Sequence, residues 1–165
     1  MSPDERADFA EDDILYFEDV PLDRTFITSG RTVTEADVVG FAGLSGDWNA
    51  LHVDAHAAAA TPFGGRIAHG LLVLSMASGM TTRLPVLQGL QPSLLGMTGM
   101  SCRWPAPTRI GDTLRIELTF VKAEYTSSRT RGLVTERRRA VNQDGAVVLD
   151  SEWALLVAAR PKDAS

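Results

Sequence analysis

Hydrophobic and polar positions change their period part-way along the chain. Up to Pro92 the apolar residues fall at helical spacing; beyond it they alternate. Residues 25–33 read as an extended segment, and Thr34-Glu35-Ala36-Asp37 then has the form of an N-terminal capping box. Val38, Phe41, Ala42 and Leu44 follow at helical spacing, so a helix running to Ser45 is predicted. A broken loop comes next, and Asp54 is placed to cap a second short helix through Ala60. Thr61-Pro62-Phe63-Gly64-Gly65 ends that helix, because proline lacks an N–H and glycine tolerates positive φ. From Gly70 to about Leu84 the chain is apolar on nearly every side, the signature of a helix in the middle of a protein.

In the second half, Leu114, Ile116, Leu118 and Phe120 alternate with Arg115, Glu117 and Thr119, the pattern of a strand with one face on a core. Val147, Leu149, Trp153, Leu155 and Val157 continue the pattern. Gly111-Asp112 and Asp144-Gly145 mark turns, and Asp144-Gly145 predicts a hairpin between 133–142 and 147–158. One very apolar helix followed by four long strands implies an α+β fold, an antiparallel sheet wrapped around that central apolar helix. Open sheet edges favour pairing with a second copy, so at least a homodimer is expected.

Composition narrows the function classes. The 165 residues suit one domain, with a polar tail expected at 1–13 and another at 161–165 around a single domain at 14–160. With 21 Asp and Glu against 16 Lys and Arg, the net charge favours neither nucleic acid nor a membrane surface as partner. The single cysteine, Cys102, excludes an intrachain disulfide and argues against a cysteine-built metal site, and a cytoplasmic location is the simple expectation. The acidic start, MSPDERADFAEDD, lacks the pattern of a signal peptide, and the longest apolar run is too short and too interrupted to span a bilayer.

The broken loop, SGDWNALHVD at 45–54, holds the candidate chemistry. Asp47 and His52 are close in sequence on a turn, and histidine keeps a large neutral fraction near pH 7 to accept a proton. Gly70 begins the apolar helix, where free amides and the positive end of the helix dipole suit an oxygen that gains negative charge. These three residues could form an acid/base pair facing an oxyanion donor.

FAGLSGDWNALHVD together with FGGRIAHGLL resembles the hydratase signature of MaoC-like hotdog proteins, the family of (R)-specific enoyl-CoA hydratases. Ser45, Asp47, Asn49, Leu51, His52 and Asp54 match its first motif, and Phe63, Ile67, His69 and Gly70 its second. Ala50 stands where the family usually has proline. The resemblance implies a hotdog fold and reversible syn addition of water to a 2-enoyl thioester, giving a (3R)-hydroxyacyl product without a cofactor. It assigns Asp47 and His52 to activating the water and Gly70 N–H to the thioester oxygen. Asn49 would support the loop and Ser78 would orient Asp47. The implied substrate is acyl-CoA, or less readily an acyl carrier protein thioester, on a homodimer or dimer of dimers.

The remaining residues have plainer readings. His69, before a helix, suits a hydrogen-bonded packing role, His56 a solvated one, and no metal site is expected from these histidines. Arg66 and Arg103 could meet CoA phosphates, since guanidinium matches phosphate geometry. Arg137-Arg138-Arg139 reads as a solvated surface, and Met97, Met100, Trp104 and Trp153 as core or dimer contacts, with lining of the acyl tunnel open to some of them. Cys102 reads as a small buried hydrophobe. Two other functions fit the same fold, a thioesterase and a non-catalytic subunit of a heteromeric dehydratase. The absence of Asp or Glu from 71–83 counts against the thioesterase, and the presence of Asp47, His52 and Gly70 against the non-catalytic subunit.

Overall fold

A computed structural model describes residues 13–161, so most of both predicted tails lies outside the described residues. The elements are β1 (Thr25–Ile27), β2 (Arg31–Thr32), α1 (Glu35–Ser45), α2 (Ala50–Val53), α3 (Ala55–Ala59), α4 (Gly70–Thr81), α5 (Pro85–Leu90), β3 (Leu94–Arg103), β4 (Thr113–Tyr125), β5 (Arg131–Val141) and β6 (Val147–Ala158). The sheet runs β1-β4-β5-β6-β3, antiparallel throughout, with β2 also pairing β4. Its inner face packs on α4, which is the expected hotdog arrangement.

The helix signals act as their chemistry requires. Thr34 accepts from Asp37 N while the Asp37 carboxylate accepts from Thr34 N, closing the capping box at the head of α1. Asp54 Oδ1 accepts from the amides of His56 and Ala57 and starts α3. The apolar run predicted as a helix to about Leu84 forms one helix that ends at Thr81, and a further helix follows from Pro85. Leu84 is extended, with ψ 131, because the ring of Pro85 excludes the helical region for the residue before it. α4 therefore stops at Thr81 and Pro85 begins α5.

Two apolar expectations change with the helix faces. Leu44 is 84% exposed on α1, whereas Val38 and Ala42 are buried. On α4, Leu71, Ser75 and Gly79 form an exposed stripe, so this helix is covered on most of its circumference rather than all of it. Its other faces meet Val33, Val38, Leu114, Ile116, Val148 and Leu149 in the main core. A second core lies around α5, Phe17, Phe26, Phe120 and Val157.

Strand alternation explains the three consecutive arginines. Arg137 and Arg139 point outward, to Asp150 (2.8 and 2.6 Å) and Glu117 (2.8 Å) respectively. Arg138 points inward and is 5% exposed, which corrects the reading of all three as solvated surface. There its Nε donates to Glu136 Oε1 (2.6 Å), and its guanidinium lies 4.1 Å over the Trp153 ring. Glu136 is fully buried; burial pushes its carboxyl above the usual range, although Arg138 pulls the other way. β3 ends the sheet, and its Leu94, Leu95, Met97 and Met100 are exposed.

Candidate active site

The loop after α1 is held by a succession of short turns. Gly46 takes φ 75 and closes α1 through its N–H to Ala42 O (2.9 Å), a left-handed position that suits glycine. Asp47 N then donates to Ser45 Oγ (3.2 Å), Asn49 N to Asp47 Oδ1 (3.2 Å) and Leu51 N to Asn49 Oδ1 (3.0 Å). Each side chain stands in for a backbone acceptor two residues on. Asn49 thereby caps α2, the short helix that carries His52. The sequence presents this stretch as loop, because four residues are too few to show a period. Ala50 is its first residue, the helical position where proline's missing N–H costs nothing.

His52 is anchored across the cleft. Its Nδ1 lies 2.8 Å from Ile67 O, while Ile67 N donates to Leu51 O (3.1 Å). A carbonyl can only accept, so Nδ1 carries the proton and Nε2 keeps its lone pair, the tautomer a general base needs. Beneath it, His69 is 2% exposed, with its ring stacked on His52 at 3.8 Å between centroids and 29° between planes. His69 Nε2 lies 2.9 Å from Asp47 O, and by the same reasoning it donates. His69 is therefore a buttress under both halves of the loop. Asp47, His52 and His69 have side-chain donor atoms within 4.8 Å of one another, a spacing that a cation could bridge. With its Nε2 proton on Asp47 O, His69 keeps a lone pair only at Nδ1, which is buried and has no hydrogen-bond partner among the described residues. Asp47 and His52 are the two groups left to meet a ligand together.

Gly70 opens α4 beside them. His69, at the cap position, makes no side-chain cap bond, so the amides of the first turn lack the usual side-chain acceptor. Trp104 lies against Gly70, with its Nε1 donating to Gly70 O (2.9 Å), and a Cβ at Gly70 would stand 2.8 Å from the Trp104 ring. His52, Phe63, Ile67, Gly70, Val73 and Trp104 line a cleft of about 290 Å³. The sequence reads Trp104 as a core or dimer contact or a lining of the acyl tunnel, and nothing local ties it to Gly70 34 residues away.

Three other predicted residues lie elsewhere. Ser78 is two turns along α4 from Gly70, lines a different pocket and makes no hydrogen bond to Asp47 within this chain; Asn49 N is the side-chain partner of Asp47 instead. Arg66 is held by both carboxylate oxygens of Glu35 at the head of α1 (2.7 and 2.5 Å). Arg103 donates to Asp150 (2.6 Å) and lines an outer hollow with Arg137 and Glu152. Cys102 is half-buried against the main core, less enclosed than expected, and His56 is exposed as expected.

Residues 18–142 match the family model described as MaoC like domain. The chain is similar to a 3-hydroxybutyryl-CoA dehydratase of Methylorubrum extorquens, 37% identical over 84% of this chain and 82% of that protein. It is also similar to an (R)-specific enoyl-CoA hydratase of Rhodospirillum rubrum, 35% identical over 92% of this chain and 98% of that one. Among solved structures, one titled a monoamine oxidase regulatory protein from Archaeoglobus fulgius superposes with a TM-score of 0.85. It is 33% identical, covering 90% of this chain and 97% of that one.

Proposed function

Because the chain belongs to the family of MaoC-like dehydratases, we propose that it is a hydro-lyase adding water reversibly across the C2=C3 bond of a 2-enoyl-CoA. The observation that carries this reading is the placement of Asp47 and His52, close enough to share one water, beside the uncapped start of α4 at Gly70. In the hydration direction His52 Nε2 and the Asp47 carboxylate take a proton from the water as its oxygen bonds to C3. The electron pair of the double bond moves towards the thioester carbonyl, whose oxygen gains negative charge against Gly70 N–H. The proton is then returned to C2 by the same pair. Both ends of the water come from one loop, so addition is syn, and the (3R)-hydroxyacyl-CoA is the expected product.

The working unit in this reading is a homodimer. β3 has no strand on its outer edge among the described residues, and an exposed row of Leu95, Met97 and Met100 accompanies that open ladder. An antiparallel pairing of two β3 edges about a two-fold axis would satisfy the ladder and cover the apolar row.

The test is the loss of enoyl-thioester absorbance on mixing the purified chain with crotonyl-CoA or a longer 2-enoyl-CoA, with free thiol followed in parallel. Hydration without thiol release, abolished by His52→Ala, is the expected result. Thiol release would replace this reading with a thioesterase. No reaction with either substrate would leave the chain as a non-catalytic subunit.

A further inference from the structure

The buried pair on β5 stands where strand alternation calls for apolar residues. Val134, Glu136, Arg138 and Ala140 share the inner face, and the neighbours of the charged pair across the sheet include Leu118, Phe120 and Trp153. The pair faces a use as well as a core. Arg138 lines an apolar pocket of about 380 Å³ with Ser78, Leu94, Met97, Trp153 and Leu155. Arg138 Nε and one terminal nitrogen both go to Glu136 Oε1, and its other guanidinium nitrogen has no hydrogen bond among the described residues. Glu136 Oε2 is buried without a partner among the described residues.

This pocket shares no lining residue with the cleft at Gly70, but both lie along α4. α4 runs from Gly70, against Trp104 just past the end of β3, past Ser78 to its end before Thr82, beside Leu94 and Met97 towards the start of β3. Eight residues of helix separate Gly70 from Ser78, roughly 12 Å along the axis. An acyl chain with its carbonyl on Gly70 and its tail along α4 would end in the pocket lined by Arg138.

We propose that Arg138 selects acyl thioesters that carry a neutral oxygen, a hydroxyl or keto group, near the far end of the acyl chain. This rests on the hydratase reading and names its substrate class. The free guanidinium N–H would donate to that oxygen, the one charged donor in a pocket whose other polar lining residues are Ser78, Thr82 and Gln91. The choice of a neutral group follows from Glu136, which already balances the positive charge; an added carboxylate would meet a buried anion beside its cation. A plain alkyl end would leave the N–H dry and unpaired.

The test compares kcat/KM for three 2-enoyl-CoA series of matched length, ending in methyl, hydroxyl or carboxylate, with crotonyl-CoA as a control too short to reach the pocket. The expected result is a preference of roughly ten- to a hundredfold for hydroxyl over methyl at one chain length, with carboxylate no better than methyl. The double variant Glu136→Leu/Arg138→Met removes both charges together and should bring that ratio to about one. Equal rates for methyl and hydroxyl ends, a preference for carboxylate, or an unchanged ratio in the double variant would each overturn the inference. Should the double variant fail to fold, the wild-type ratios decide alone. Crotonyl-CoA left unhydrated along with every longer substrate would overturn the hydratase reading itself.

Discussion

At the residue scale, two features make the sharpest claims. Asp47→Asn and His52→Ala should each lower hydration roughly 100- to 10,000-fold while the folded circular dichroism spectrum persists, because both side chains lie in a locally held loop outside the core. Near-normal turnover in either variant would refute the proposed pair. The second claim concerns Asp150. The hydrogen bonds from Arg137, with Arg103 beside it, hold its carboxyl at about 2, below the ordinary 3.8. The unfolded chain therefore takes up this proton at higher pH than the folded one, and acid favours unfolding through that interval. The stabilisation is complete above pH 4 and lost as pH falls towards 2. Asp150→Asn should accordingly lower Tm at neutral pH, with the gap from wild type closing near pH 2. The sequence makes Asp47, His52 and Gly70 legible through residue type and spacing. It does not show His69 under His52, Trp104 on Gly70 or Arg103 on Asp150, because each contact depends on how separate elements dock.

At the element scale, local signals were legible where one residue type settles a backbone question. The capping box of α1, the Asp54 cap of α3 and the Asp144-Gly145 turn before β6 all form as read, and Gly145 takes φ 82. Failures came where hydrophobicity stood in for contact. Leu44 has the right spacing but points away from α4, and Arg138 has the wrong polarity but sits inside because its neighbours in β5 fix the register. The sheet also meets the Phe17 ring closely at Gly132 in β5, where a Cβ would stand 2.1 Å from that ring. Phe17 is buried and packs on Tyr125 at 4.4 Å, so the ring has little room to retreat. Gly132→Ala should cost about 1–3 kcal/mol in denaturant unfolding through overpacking. An unchanged midpoint would mean that the Phe17 segment moves freely.

At the scale of the whole molecule, the sequence makes the β5–β6 hairpin legible, and the rest of the sheet order needed the structure, because β3 pairs β6 rather than β4, the strand that follows it. β3 became the edge because it pairs β6 alone, and register shifts after Leu94 and Met97 break its ladder. Placing charge on this edge tests the homodimer directly. Leu95→Lys combined with Met100→Lys should shift sedimentation equilibrium from two chains towards one, since like charges would then face each other across the two-fold axis. A wild-type monomer at micromolar concentration would defeat the proposal.

The contact of Trp104 with Gly70 makes the cleft self-reporting. The Trp104 indole hydrogen-bonds the carbonyl of Gly70, whose amide is the proposed donor to the thioester, and it would experience a changed local field whenever that amide is occupied. Titration with a saturated acyl-CoA, which cannot be hydrated, should therefore produce a saturable change in ultraviolet-excited emission, lost in Trp104→Phe. Binding could then be followed separately from turnover, with no label attached to protein or ligand. Emission that stays constant through the titration would place the thioester away from Gly70.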